Sequence, residues 1–298
     1  MTSKFNGVVP KSPLPGPDAD ASITQNGFRV ITRKLPILKA GPIEEMTKKL
    51  GITPPEMIFG DNFMHIEHLA SGWKIDFNAF DALDRVDKTG EAMLKVSYSR
   101  EWQQNRYASS LQIPSLSARQ VRVIMVCTNP PSSKQFEDIK EVIKPFDWSY
   151  STDYKGTTMP ASLSFTPTDK PIPLALLKRP DPILFFDDVV LYEDELADNG
   201  IAMLSCKIRV MPARLLLLCR FFMRLDDVIF RVRDTRVFVE FTTGEVIREY
   251  TAREEKFGIV KGELAKTRED VPALMRDPNR LTELLPVVEK DLERLVLK

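Results

Sequence analysis

The chain's only two histidines, His65 and His68, flank Glu67 in a His-Ile-Glu-His run. These residue types can ligate a divalent cation, but the spacing argues against it. On a strand, His65 and Glu67 share one face and His68 takes the other, so the rings diverge. A zinc protease sets two histidines four apart on a helix around a glutamate, and a zinc deaminase adds a Pro-Cys-x-x-Cys partner; the chain carries neither. No metal and no cofactor are expected. Asp147, Asp153, Asp187, Asp188, Glu193, Asp194 and Glu195 are numerous enough to contain an acid/base pair. A metal- or carboxylate-dependent hydrolase built on the acidic bend at residues 193–198 is therefore the alternative reading. None of these spacings is diagnostic, and acidic clusters at turns ordinarily cap or solvate them. A phosphate-cradling glycine loop, a Gly-x-Ser-x-Gly elbow and a kinase signature are all missing. No catalytic residue is assigned.

A second group of side chains suits recognition. Lys207, Arg209, Arg231, Arg233 and Arg236 punctuate apolar strands. Guanidinium groups fork onto carboxylates, so Arg231, Arg233 and Arg236, with Asp234 among them, are expected to form one groove for an acidic peptide or chain terminus. The plainer reading is that such cations only guard strands against aggregation. Lys plus Arg and Asp plus Glu each number 42, so no global field draws nucleic acid or an anionic membrane. An RNA-binding sheet is disfavoured on that ground. No transmembrane span is expected, because the apolar run ending at Cys219 is cut by Arg220 far short of the roughly 20 residues required.

The elements that must position these groups are mostly strands. Leu204, Cys206, Ile208 and Val210 alternate with Ser205, Lys207 and Arg209, one face apolar and one basic. Pro212 ends that strand. Residues 214–225 are apolar almost throughout, as in a strand covered on both faces, with helix as the competing reading. Asp226-Asp227 has the length of a two-residue hairpin. Asp234-Thr235 and Thr243-Gly244 are expected to punctuate again, giving an antiparallel meander. Upstream, residues 28–34 resemble an edge strand, Pro42 opens a short helix closed by Gly51, and residues 57–77 form a strand pair turning at Ser71-Gly72. Asn78 caps a helix containing Asp81.

Residues 1–23, rich in proline, are expected to be a disordered tail. Residues 24–298 then form a single α+β domain of antiparallel β-sheets flanked by short helices. Within it, 107–140 is expected to be a loop insertion whose apolar run at 121–126 has no evident pairing partner. Phe146, Trp148, Tyr150 and Tyr154 are expected in the core. Leu281, Leu284, Leu285, Val288, Leu292 and Leu295 mark an amphipathic C-terminal helix with Pro286 as its irregular point. Cys127, Cys206 and Cys219 are odd in number and dispersed. No apolar leader is recognised, so a cytoplasmic or nuclear home is expected.

Seven blocks carry a resemblance: FGDN (59–62), FNAFDAL (77–83), EVIKPFDWSYSTDYKGT (141–157), LYEDELADNG (191–200), KIRVMP (207–212), RFFMRLDDVIFRVRDTR (220–236) and REYTARE (248–254). In this order they resemble the TIPRL family, the TOR signalling pathway regulator-like proteins. The resemblance implies a non-catalytic α+β protein that binds the catalytic subunits of type 2A, 4 and 6 phosphatases and inhibits or remodels them. It also implies a link to TOR signalling through the alpha-four phosphatase partner. Those catalytic subunits end in a short acidic and aromatic tail with a free carboxylate, which a basic cleft could receive. Carried over residue by residue, the family's partner-binding positions fall on Asp81, Ile172, Val232, Asp234 and Arg236. Val232 stands where relatives often have methionine.

Overall fold

The computed structural model describes residues 20–89, 145–267 and 269–298, together with the backbone of two short strands at 96–97 and 124–125. Strand β1 (Ala21–Gln25) turns at Asn26-Gly27 into β2 (Phe28–Arg33). Both turn residues have positive φ, 49° and 81°, which a two-residue hairpin requires and Asn-Gly adopts readily. Ala21 to Ile23, expected in the tail, are therefore strand; residues 1–19 lie outside the described residues. Strand β2, expected at an edge, lies between β1 and β4 (Phe63–His68).

Helix α1 (Ala40–Leu50) carries Pro42 in its first turn and ends on Gly51 in the left-handed conformation. Strand β3 (Met57–Ile58) precedes the β4–β5 hairpin, β5 being Trp73–Asn78, and Asn78 caps α2 (Ala79–Asp84). Strands β6 (Val96–Ser97) and β7 (Ile124–Met125) pair antiparallel, so the run expected to stand alone has a partner at these two residues. The rest of the expected insertion, and Cys127, lie outside the described residues. Strand β8 (Thr157–Met159) completes a five-stranded sheet in the order β1-β2-β4-β5-β8.

The second sheet has eight strands. After β9 (Thr166–Pro167) and helix α3 (Leu174–Leu177) come β10 (Phe185–Asp194), β11 (Gly200–Val210), β12 (Arg214–Leu225), β13 (Ile229–Glu240) and β14 (Glu245–Lys256). Helices α4 (Phe257–Leu264), α5 (Val271–Leu274) and α6 (Pro278–Leu284) follow, then β15 (Val287–Val296). The order β3-β10-β11-β12-β13-β14-β15-β9 is antiparallel throughout.

Period-2 alternation decides what each face meets. Val189, Leu204, Cys206, Ile208, Leu215, Leu217 and Val237 point inward onto Phe28, Val30, Met64, Ile66, Trp73, Ile75 and Phe77 of the first sheet. The outer face is covered in two patches. Helices α4 to α6 lay Phe257, Val260, Leu264 and Leu281 over Phe222, Phe230 and Val232. Ile172, Leu176 and Leu177 lie over Phe238 and Ile247. Strand β12 is packed on both sides, which is why its sequence is almost wholly apolar and why strand prevails over helix. Among the described residues no helix is long and apolar enough to cross a membrane.

Residues 145–156 thread along the inner side, with Phe146, Trp148, Tyr150 and Tyr154 buried in the main core as expected. Gly156 ends that stretch at φ +84°, where an added Cβ would come within 2.8 Å of Ile75 and Phe77 side chains. The C-terminus departs from the expected helix, which stops after α6. Leu285 is extended, as the residue before a proline tends to be, and β14 offers a free edge. Leu292 and Leu295, three apart as on a helix, instead go to opposite faces of β15, into the outer patch and the inner core.

Candidate functional site

The β12–β13 turn has three residues. Val228 N donates to the Leu225 carbonyl at 3.0 Å, and Asp227 is left-handed at φ 59°. The turn is one residue longer than the expected Asp-Asp hairpin, so it pairs Leu225 with Ile229 and hence Arg220 with Asp234. The two-residue turn would have set Arg220 against Arg233, because register propagates along the whole ladder.

Arg220 Nε and Nη2 donate to Asp234 Oδ1 and Oδ2, both at 2.7 Å, and Nη1 donates to Asn279 Oδ1 of α6 at 2.9 Å. Both members of the pair are buried. Desolvating two charges is costly, and it is offset here by fork-to-fork geometry and the third hydrogen bond. Arg236 donates through Nη2 to Asp234 Oδ2 at 3.3 Å and through Nη1 to Glu249 Oε1 at 3.1 Å. Lys290 Nζ lies 3.2 Å from Glu249 Oε2. Charges thus alternate in sign across β12, β13, β14 and β15.

This ladder floors the gap between the two apolar covers. The gap is a cleft of about 500 Å³ lined by Arg220, Arg236, Arg253, Asn279, Thr282 and Glu283. Arg236 keeps 37% of its side chain exposed. Arg253, opposite Val232 in the sheet, donates from Nη1 to the Leu285 carbonyl at 3.0 Å. Among the described residues it has no carboxylate partner. One uncompensated guanidinium, a second half-exposed one and the Asn279 amide give the cleft what it needs to hold a carboxylate.

The expected site residues separate. Asp234 and Arg236 meet at the cleft floor. Arg231 and Arg233 do not, so the single groove expected of the three arginines is not formed. Strand β13 runs unbroken through Asp234-Thr235, because Asp234 pairs with Arg220 while Thr235 Oγ1 donates to the Tyr154 carbonyl at 3.0 Å. With no break, odd and even positions take opposite faces. Arg231 and Arg233 point inward, where Arg231 Nε and Arg233 Nη2 each donate to Glu254 Oε2 at 2.9 Å and Arg231 Nη1 donates to Ser151 Oγ at 2.8 Å. Burial pushes the Glu254 carboxyl up, but the two guanidinium groups outweigh it and hold the acid below its ordinary range.

Val232 is fully buried beneath α4–α6 and Ile172 is 5% exposed beneath the second cover. In this conformation both are packing residues and neither offers its side chain to a partner. Asp81 sits on the far side of the eight-stranded sheet. Its amide donates to Asn78 Oδ1 at 2.8 Å, and Oδ2 accepts from Asn78 Nδ2 at 2.9 Å and from Thr157 Oγ1 at 2.5 Å. This is a reciprocal N-terminal cap, tied to β8.

Sequence reasoning passed over Arg220, Arg253, Asn279 and Thr282. The correct turn length would have disclosed Arg220 as the partner of Asp234. Asn279 and Thr282 reach the cleft only because α6 folds back over the sheet, which no local pattern announces.

The alternative chemistry finds its groups occupied. His65 Nδ1 meets Asp76 Oδ1 at 2.5 Å, and His68 Nδ1 meets Ser71 Oγ at 2.8 Å. Asp187 accepts from Thr32 Oγ1 and Lys34 Nζ, joining the two sheets. Asp194 accepts from the Glu56 and Leu196 amides at 3.0 and 2.7 Å, so the acidic bend is a capped turn. Among the described residues no group of three or more His, Cys, Asp or Glu is placed to hold a metal ion.

The profile of the TIP41-like family matches residues 57–261. The chain belongs to the TIP41-like family. All seven blocks noted in the sequence lie within the matched residues. The TIP41-like protein of Rattus norvegicus is 39% identical over 272 residues, covering 90% of this chain and 87% of its own. That of Homo sapiens is 38% identical over the same length. A protein of Saccharomyces cerevisiae named type 2A phosphatase activator TIP41 is 40% identical over 291 residues, covering 95% of this chain and 77% of its own. The TIP41-like match ends inside α4, so the α6 residues that wall the cleft lie beyond it.

Proposed function

We propose that this protein is a non-catalytic regulator that binds the catalytic subunit of a type 2A-family serine/threonine phosphatase. In this reading the outer-face cleft receives the acidic C-terminal tail of that subunit. The observation that carries it is Arg253, a guanidinium with no carboxylate of its own among the described residues, beside the half-exposed Arg236 in a cleft fixed from below by Arg220 and Asp234. Two yeast relatives are named type 2A phosphatase activators, which favours activation over the inhibition that the resemblance implied. Binding to types 4 and 6, an alpha-four partner and a place in TOR signalling extend the same reading. Cys206 and Cys219 stand directly opposite one another as free thiols, which suits a cytoplasmic or nuclear setting.

Titration calorimetry with the isolated type 2A catalytic subunit, intact or lacking its last residues, tests this. Binding that weakens on removing the tail, or on Arg253→Met in this chain, supports it. Equal affinity for intact and truncated subunits would remove the cleft from the interface. Type 2A phosphatase turnover with and without the protein gives the sign of the effect.

A further inference from the structure

The cleft is not closed on all sides. Arg236 of its floor belongs to a row of outer-face residues given by the register: Asp188 on β10, Lys207 on β11, Leu218 on β12, Arg236 on β13 and Glu249 on β14. The next row toward α3 is Phe186, Arg209, Leu216, Phe238 and Ile247. The α3 cover packs on Leu216, Phe238 and Ile247. At the β10 end of the same row Phe186 is 57% exposed. Lys207 is exposed, and Arg209 and Leu218 are half-buried. A strip of open sheet therefore leads from the cleft across β12 and β11 to β10.

Charge distinguishes the two directions out of the cleft. Toward β15 the cations are paired: Lys290 with Glu249, and Lys170 and Arg294 with Glu245. Toward β10 they are not. Among the described residues neither Lys207 nor Arg209 forms an ion pair, and Asp188, directly opposite Lys207, lies 3.7 Å from Lys34 Nζ instead. This end combines two uncompensated cations with the apolar surfaces of Leu218 and Phe186.

We propose that this strip is a second recognition segment for the peptide whose terminus enters the cleft, and that its chemistry selects an acidic side chain followed upstream by an apolar one. The inference rests on the cleft reading above. Neighbouring strands are about 4.8 Å apart and an extended peptide advances about 3.3 Å per residue. The register sets Arg253 on β14 level with Met203 on β11, so Lys207 and Arg209 lie three strand spacings across and four and six residues along, about 20–25 Å, or about six to eight residues of peptide. Phe186 on β10 lies level with Arg209 and one spacing further across, about 28 Å from Arg253, or about eight to nine residues from the terminus. The strip therefore reads an acid about six to eight positions, and an apolar residue about eight to nine, ahead of the terminal carboxylate.

Fluorescence anisotropy with two synthetic peptides tests this, one carrying the last three residues of the type 2A catalytic subunit and the other its last ten, both with free carboxylates. The ten-residue peptide is expected to bind more tightly than the short one. The double variant Lys207→Glu/Arg209→Glu should weaken the long peptide about tenfold, with less effect at high salt, and leave the short peptide unchanged. Both positions are on the surface, and circular dichroism checks the fold. If the double variant binds the long peptide as the wild type does, the strip is not a recognition segment and the cleft reading stands. If neither peptide binds the wild type, or Arg253→Met leaves both affinities unchanged, both readings fall.

Discussion

Arg220 and Asp234 grip each other through two hydrogen bonds of 2.7 Å across adjacent strands, and they do so beneath a cleft whose walls come from a different part of the chain. The pair holds the floor rigid, so that Arg236 above it has a fixed anchor. Asp234→Asn leaves a buried guanidinium with one neutral acceptor where it had a carboxylate fork. It is expected to cost about 3 kcal/mol of stability. Urea unfolding measures it. The double variant Arg220→Met/Asp234→Leu removes both charges and is expected to cost much less than the single change.

Arg253 should behave in the opposite way. Its guanidinium bonds only a carbonyl among the described residues, so Arg253→Met is expected to change stability by less than about 1 kcal/mol. A hydrogen bond to a charged group contributes about 1.5–3 kcal/mol, so affinity for the phosphatase catalytic subunit should fall at least tenfold. Thermal melting and calorimetry on one preparation separate the two effects.

Ile172 is a buried plug between α3 and the sheet. Truncation to alanine is expected to destabilise the fold by about 2–4 kcal/mol through lost burial and the cavity left behind. Affinity per folded molecule should change far less than in Arg253→Met. A variant that melts like the wild type but binds poorly would make Ile172 a direct contact and contradict its place in the core.

Glu254 gives a pH signature. Its folded pKa lies below the ordinary 4.5, because Arg231 and Arg233 outweigh its burial. A lowered acid contributes stability that is present in full above its unfolded pKa and is lost as pH falls through the folded one. The wild type should exceed Glu254→Gln by about 1 kcal/mol at pH 7, and the difference should shrink on acidification below about pH 4.5. Urea unfolding of both proteins at pH 7, 5 and 3 measures this; a difference that grows on acidification would mean that the carboxylate is not held by the arginines.

Much of this architecture was legible in the amino-acid order alone. Alternation through Leu204, Cys206, Ile208 and Val210 assigned an inner face that the structure keeps, and Asn78 and Gly51 marked helix ends where they occur. Such signals depend on the geometry of a few consecutive residues, so they survive without knowledge of neighbours. The antiparallel meander and the buried aromatics at 146–154 follow from the same local rules.

Tertiary structure decided the rest. The extra residue in the β12–β13 turn chose Arg220 as the partner of Asp234, and the continuity of β13 sent Arg231 and Arg233 inward while Arg236 went outward. The free edge of β14 turned residues 287–296 into a strand despite their helical spacing, and the return of α6 brought Asn279 and Thr282 to the cleft. A side chain's periodicity fixes which neighbours share its face, but not what packs on that face. That depends on contacts between residues far apart in the chain, and the cleft is made of such contacts.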